Sequence, residues 1–274
     1  KNGNNPKYNL EYFLIMAFIH IFGYIPFFMK THPYFLFDGS FAGFLNAIQK
    51  GLEESHPRIT LNSMDNTDTL PLFGSGIKIE TETRKAKGLW RDLGLLGTEF
   101  QKRVYYCFLH ENVKLRPEIY QYVARLFCPH IEGIESLGIQ AGKQLEMAVK
   151  EVSRERDTQE RALSFKVNTD GFWYGEIRPK HDILPLLSRY CRSLFPSDPW
   201  LVVDANRKKS LCSVSGKLTL VACLQNIRPE SNTSEGLQSV TNAPKDAKTI
   251  YNAPPALLET SSLLNRKSKK WEAA

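Results

Sequence analysis

Residues 171–187, GFWYGEIRPKHDILPLL, hold the densest gathering of side chains suited to chemistry in this chain. Phe172, Trp173 and Tyr174 run into Glu176, Arg178, Lys180, His181 and Asp182, and Pro179 separates a strand from a helix start. The first turn of a helix carries unpaired backbone N–H groups and the positive end of the helix dipole, so anions settle there. Arg178, Lys180 and His181 beside such a turn would complete a phosphate-binding corner. Trp173 or Tyr174 on the strand could stack on an unpaired base. The same residues also suit plainer duties: Asp182 as helix cap, Pro185 in the first turn, alternate aromatics in a core, His181 on the surface.

Adjacent residues at a helix start point apart, so His181 and Asp182 do not make a catalytic dyad, and acid–base work would need a partner from elsewhere. Glu176, Asp38 and Asp204 sit at strand ends, where sites gather. His181, Glu176 and Asp38 are the candidates for catalysis, although core-edge or turn roles fit the carboxylates equally well. Cys128 and His130 flank Pro129, but two ligands do not make a site, and no metal is assigned. The run KEVSRERDTQER (150–161) alternates in sign and fits a solvated helix. NRKSKKW (265–271) is a basic tail that could hold phosphate without sequence preference. The sequence has no Walker A loop, no G-x-G-x-x-G, no H-E-x-x-H and no G-x-S-x-G.

The 274 residues are enough for one large domain or two small ones, and 42% hydrophobic with 24% charged residues supports a sizeable core. A formal charge of +7 allows a polyanionic partner, and exposed lysines and arginines that bind nothing would give the same figure. The five cysteines, Cys107, Cys128, Cys191, Cys212 and Cys223, never form a C-x-x-C pair. That excludes a zinc ribbon or a cysteine-held iron–sulfur cluster and points to a reducing compartment.

Residues 34–37 read as a strand ended by Asp38-Gly39, with Ser40 capping a helix whose apolar face is Phe41, Phe44, Leu45, Ile48 and Leu52. Short strands are expected at 58–61 and 77–80. A helix carrying Ala86, Leu89, Trp90 and Leu93 follows. Thr98 and Gln101 form a capping box for the next helix, with Phe100, Val104, Cys107 and Phe108 on its inner face. Pro117 opens a further helix that Pro129 closes. Residues 133–142 read as a glycine-containing linker, and 144–161 as a charged helix. The period then changes from 3.6 to 2. Strands are expected at 162–168 and 172–178 around Thr169-Asp170-Gly171, a hairpin signal. A helix over 182–194 precedes strands at 200–204, 211–214 and 217–223, with Ser215-Gly216 as a turn. The fold class is α+β: an N-terminal β-α element, a helical middle and a C-terminal antiparallel sheet with one packed helix.

Residues 12–29 are nearly all apolar, and three readings fit them: a single membrane anchor, an extra helix, or upstream read-through. Asn, Lys, Tyr, Phe and Ile dominate residues 1–28, as in AT-rich DNA translated without selection, and Met29 then starts the protein. The chain divides into an upstream extension over 1–28, a domain over 29–225 and a polar and basic tail of low order over 226–274.

Taken in order, several stretches resemble a bacterial family of DNA-repair or DNA-metabolism proteins defined by a domain of unknown function. They are FLFDGSFAGFL, PLFG, IETETRKAKGLWRDL, RVYYCFLHE, YQYVARLF, Arg154-Glu155, EIRPKHDILPLL and WLVVDANR, spread over roughly residues 30–215. The resemblance implies a partner, a radical-SAM iron–sulfur protein encoded beside the gene, and in some members fusion to a uracil-DNA-glycosylase-like domain. It implies no cofactor in this chain; iron–sulfur and SAM belong to the partner. After the Arg-Glu pair the family carries His-Arg and later Gly-Phe, where this chain has Asp157, Thr158, Arg161 and Ala162, so no role passes to a histidine there. The family's Pro-Lys-Arg-Tyr-Trp-like ending is absent from 226–274.

The expected function is therefore a cytoplasmic accessory protein of DNA repair or DNA modification. It would bind DNA through Arg178, Lys180, His181 and Trp173 or Tyr174, and dock a radical-SAM or glycosylase-like partner, with no membrane. Two alternatives stand beside it: an enzyme acting on a flipped base, and a membrane-anchored protein of unrelated function.

Overall fold

The structure, a computed structural model, describes residues 32–64, 76–167, 171–214 and 216–222. Residues 12–29, the PLFG stretch, Thr169-Asp170, Ser215, Cys223 and the tail from 226 lie outside the described residues. The fold is α+β, as expected. Strand β1 (Tyr34–Phe37) places Phe35 and Phe37 on one fully buried face. Asp38-Gly39 turns the chain, Gly39 taking a positive φ of 81°, and the Ser40 side chain accepts the Gly43 N–H to start α1 (Phe41–Glu53). β2 (Thr60–Ser63) and β3 (Ile77–Lys78) pair with β1 in parallel, in the order β2-β1-β3.

The helical middle comprises α2 (Thr83–Leu96), α3 (Thr98–Leu109), α4 (Arg116–Phe127) and α5 (Ile134–Ala162). α2 and α3 are divided by Gly97, whose φ of 144° suits glycine. The capping box does not form. Gly97, not Thr98, caps α3, and buried Gln101 instead donates to the Trp90 carbonyl at 2.8 Å, stitching α3 to α2. α5 begins ten residues before the charged helix was expected, so the stretch read as a linker is its first third. A methyl group on Gly138 would lie 2.5 Å from the Arg125 side chain, and one on Gly142 would touch Tyr122. Gly138 lets α5 lie close against α4. At 1.5 Å per residue, the 29 residues of α5 extend about 43 Å.

The C-terminal sheet runs β4 (Phe165–Val167), β5 (Trp173–Ile177), β6 (Trp200–Asp204), β7 (Lys209–Val214) and β8 (Lys217–Ala222), in that order. It is antiparallel except for β5 and β6. These two are parallel because a 3-10 turn (Leu184–Leu187) and the short helix α6 (Ser188–Leu194) carry the chain back between them. One sheet face, with Trp200, Val202, Leu211 and Leu220, joins the core of the helices and β1. The other carries a small separate cluster of Phe172, Leu201, Val203 and Cys212. Among the described residues no helix is long and apolar enough to cross a membrane.

The thiols report on this core. Cys107 and Cys191 are 2% and 0% exposed, and burial pushes each up to about 12. At pH 8 roughly one in ten thousand of such thiols is the reactive thiolate. Alkylation of the native protein with iodoacetamide, followed by mass spectrometry, is expected to label half-buried Cys128 well before either. Equal labelling rates would mean the core opens on the timescale of the assay.

Candidate functional site

α5 places Glu151 and Glu155 one turn apart on one face, and each reaches a histidine from a different part of the chain. His110 caps the C-terminus of α3 in extended conformation. Its Nε2 lies 3.0 Å from Glu151 Oε2, and its Nδ1 accepts the Asn112 N–H at 3.0 Å. His181 Nδ1 accepts the Glu111 N–H at 3.3 Å, while its Nε2 is 3.9 Å from Glu155 Oε2. The two rings face each other with centroids 4.2 Å apart and planes tilted by 34°. With both Nδ1 atoms accepting backbone N–H groups, the ring proton of each neutral histidine sits on Nε2, toward the carboxylates. Each bond onto Nδ1 contributes about 1 kcal/mol net.

His181, 3% exposed, has its pKa lowered first by burial and then by the adjoining His110 ring. The hydrogen bond from His110 holds Glu151 below the usual carboxylate range. The bond from Lys180 does the same for Glu111.

Glu155 performs a second task. Its carboxylate accepts the backbone N–H groups of Lys180 at 2.5 Å and His181 at 2.7 Å. The Asp182 N–H goes to the Leu109 carbonyl at 2.9 Å. On the other side, Arg207 and Asn206, in the β6–β7 turn, donate to the Pro179 carbonyl at 3.1 and 3.0 Å, and Arg207 also reaches the Lys180 carbonyl. Buried Asp204 anchors that turn by accepting the N–H groups of Asn206 and Arg207. The corner at 179–182 is thus fixed by α5, by the end of α3 and by a turn of the sheet.

This arrangement revises how the corner was expected to work. The amides of Lys180 and His181 do attract an anion, but it is the chain's own Glu155. The α-helix starts at Ser188 behind a 3-10 turn, and Asp182 caps nothing; it accepts Lys209 Nζ at 2.8 Å. Of the expected DNA-binding residues, Arg178 and Lys180 project outward, with side chains 73% and 61% exposed. Arg178 pairs with Glu176 at 2.9 Å and Lys180 with Glu111 at 2.9 Å. Trp173 and Tyr174 lie on opposite faces of β5. Trp173 stacks on Phe195 at 4.8 Å within the helix-covered face. Tyr174, on the same face as Glu176, is half-buried against the Phe172, Leu201, Val203 and Cys212 cluster, its hydroxyl 3.4 Å from Glu176 Oε2. Asp38 joins none of these: it accepts Ser40 N–H, Ser40 Oγ and Thr81 Oγ1, tying the β1–α1 turn to the chain after β3.

The structure therefore joins Lys180 and His181 to His110, Glu111, Glu151 and Glu155, while Glu176 and Arg178 form a separate pair beside them in the chain. A signal for the last pair existed in their i, i+4 spacing on a charged helix. Nothing in linear spacing links His110 to His181, 71 positions on.

A mixed α+β domain with a pinned, charged corner just past the end of β5 is the class that the geometry defines. The sequence profile of the DUF4130 family, described as a domain of unknown function, matches residues 114–252, just over half of the chain, and the chain belongs to that family. The match takes in Glu151, Glu155 and the corner, but not His110 and Glu111. No curated protein and no solved structure matches.

Proposed function

We propose that this protein is a nucleic-acid-binding accessory of DNA repair or DNA modification, working with a radical-SAM or glycosylase-like partner. The setting comes from the family resemblance of its ordered motifs. The observation that carries the site is the pairing of outward Arg178 and Lys180 with a backbone held from three sides. Their present partners, Glu176 and Glu111, are themselves 39% and 43% exposed. Such surface ion pairs contribute about 0–1 kcal/mol, so exchanging a carboxylate for a phosphate costs little. Tyr174, half-buried four positions before Arg178, is the aromatic that a base would stack on through its exposed part. An accessory role fits better than direct base chemistry, because His181 is buried with its lone pair already engaged.

Fluorescence anisotropy with a labelled single-stranded oligonucleotide across a salt series tests this. Affinity is expected to fall steeply with salt, and Arg178→Ala with Lys180→Ala together to lower the log–log slope by roughly 1.5. Absence of binding, or binding indifferent to salt, would remove the proposal.

A further inference from the structure

We propose that His110, His181 and Glu151 form a binding site for one divalent ion of the zinc class, taken by the two ring Nε2 atoms and a carboxylate oxygen. The site stands independently of the nucleic-acid reading. One potential ligand atom from each residue lies within 4.8 Å of the other two, and the His110–Glu151 pair is already at 3.0 Å. In tetrahedral zinc sites, bond lengths of about 2.0–2.2 Å set neighbouring ligand atoms roughly 3.3 Å apart. Closing the remaining gap falls to Glu151, whose side chain is 50% exposed, and to the rings themselves, whose 4.2 Å centroid spacing must widen to roughly 5 Å for both to share a tetrahedral ion.

Charge favours a cation as well. Glu111, Glu151 and Glu155 surround the rings, with Lys180 as the facing ammonium group. Two histidines and one glutamate make the set that zinc takes when a coordination position stays open, and exposed Glu151 leaves that position toward solvent. Coordination through Nε2 requires each ring proton to move to Nδ1, with no net proton released. The N–H groups of Glu111 and Asn112 then face ring N–H groups, so these two hydrogen bonds are lost and metal binding must outweigh that cost.

The test uses the full chain stripped of metal with a chelator, titrated with Zn2+ in a calorimeter and with Co2+ followed by visible absorption. One equivalent is expected to bind. Glu151→Gln and His110→Gln, each checked for native circular dichroism, are expected to weaken it roughly a hundredfold or more. His130→Gln, an exposed histidine elsewhere, is expected to leave it unchanged. Long-range nitrogen NMR of the rings is expected to show the proton moving from Nε2 to Nδ1 as Zn2+ is added. No saturable binding, or binding that survives Glu151→Gln and His110→Gln, overturns the proposal.

Discussion

Replacing Phe41 by alanine is expected to lower the unfolding free energy by about 4 kcal/mol, the range for removing a fully buried phenylalanine. Phe41 is 0% exposed and is the first residue of α1, yet its ring meets four others. Tyr105 is 4.9 Å away, Phe108 5.0 Å, Trp90 5.3 Å and Phe44 6.4 Å. Three of these belong to α2 and α3, so this one side chain joins the parallel β-α layer to the helical middle. Edge-on and tilted contacts among rings add about 0.5–1.5 kcal/mol to area burial. Phe41→Leu, which keeps most of the volume and loses the ring contacts, is expected to cost about 1–2 kcal/mol. Urea unfolding of the three proteins measures both differences. A loss under about 2 kcal/mol for the alanine variant would show that the layers are joined elsewhere.

Glu155→Ala is expected to cost about 3 kcal/mol, although Glu155 lies in no apolar core. Hydrogen bonds to a charged group contribute about 1.5–3 kcal/mol each, and this carboxylate accepts two from consecutive amides. The Lys180 amide recovers part of its loss from water, whereas the His181 amide belongs to a residue 3% exposed. Glu155→Gln keeps one acceptor oxygen and loses the charge, so about half the cost is expected. The corner would also loosen: hydrogen exchange at the Lys180 and His181 amides should quicken in the alanine variant. A stability change below about 1 kcal/mol with unaltered exchange would show that Arg207, Asn206 and the Leu109 carbonyl suffice to hold the corner.

Local signals led to the right elements where one physical preference dominated. The four apolar residues of β1, the Asp38-Gly39-Ser40 turn and cap, and the unbroken WLVVD of β6 each had a single plausible conformation. Glycine misled at 133–142, because it was read as chain freedom. Only the packed structure shows that a side chain on Gly138 would collide with Arg125, while one on Gly142 would meet Tyr122 at ordinary contact distance. Gln101 misled similarly: its spacing from Thr98 matches a capping box, but a buried carbonyl on α2 competes for its amide. The corner at 178–182 was recognisable from its crowding of charge and aromatics. Its chemistry was not, because the anion on its amides comes from 25 and 26 positions away and its second histidine from 71.

Tyr120, in α4, carries a consequence for synthesis. Tyr120 is fully buried, and its hydroxyl donates to the carbonyl of Gly51 at 3.0 Å and to that of His56. Those bonds span 69 and 64 positions, so the end of α1 is not closed off until a residue far downstream has been made. At 5–20 residues per second the interval is about 3–14 s. Through it the phenylalanines of β1 and α1 lack the helices that cover them in the folded protein. The β-α layer is thus completed only once α4 has been made, and a chaperone has several seconds in which to find it.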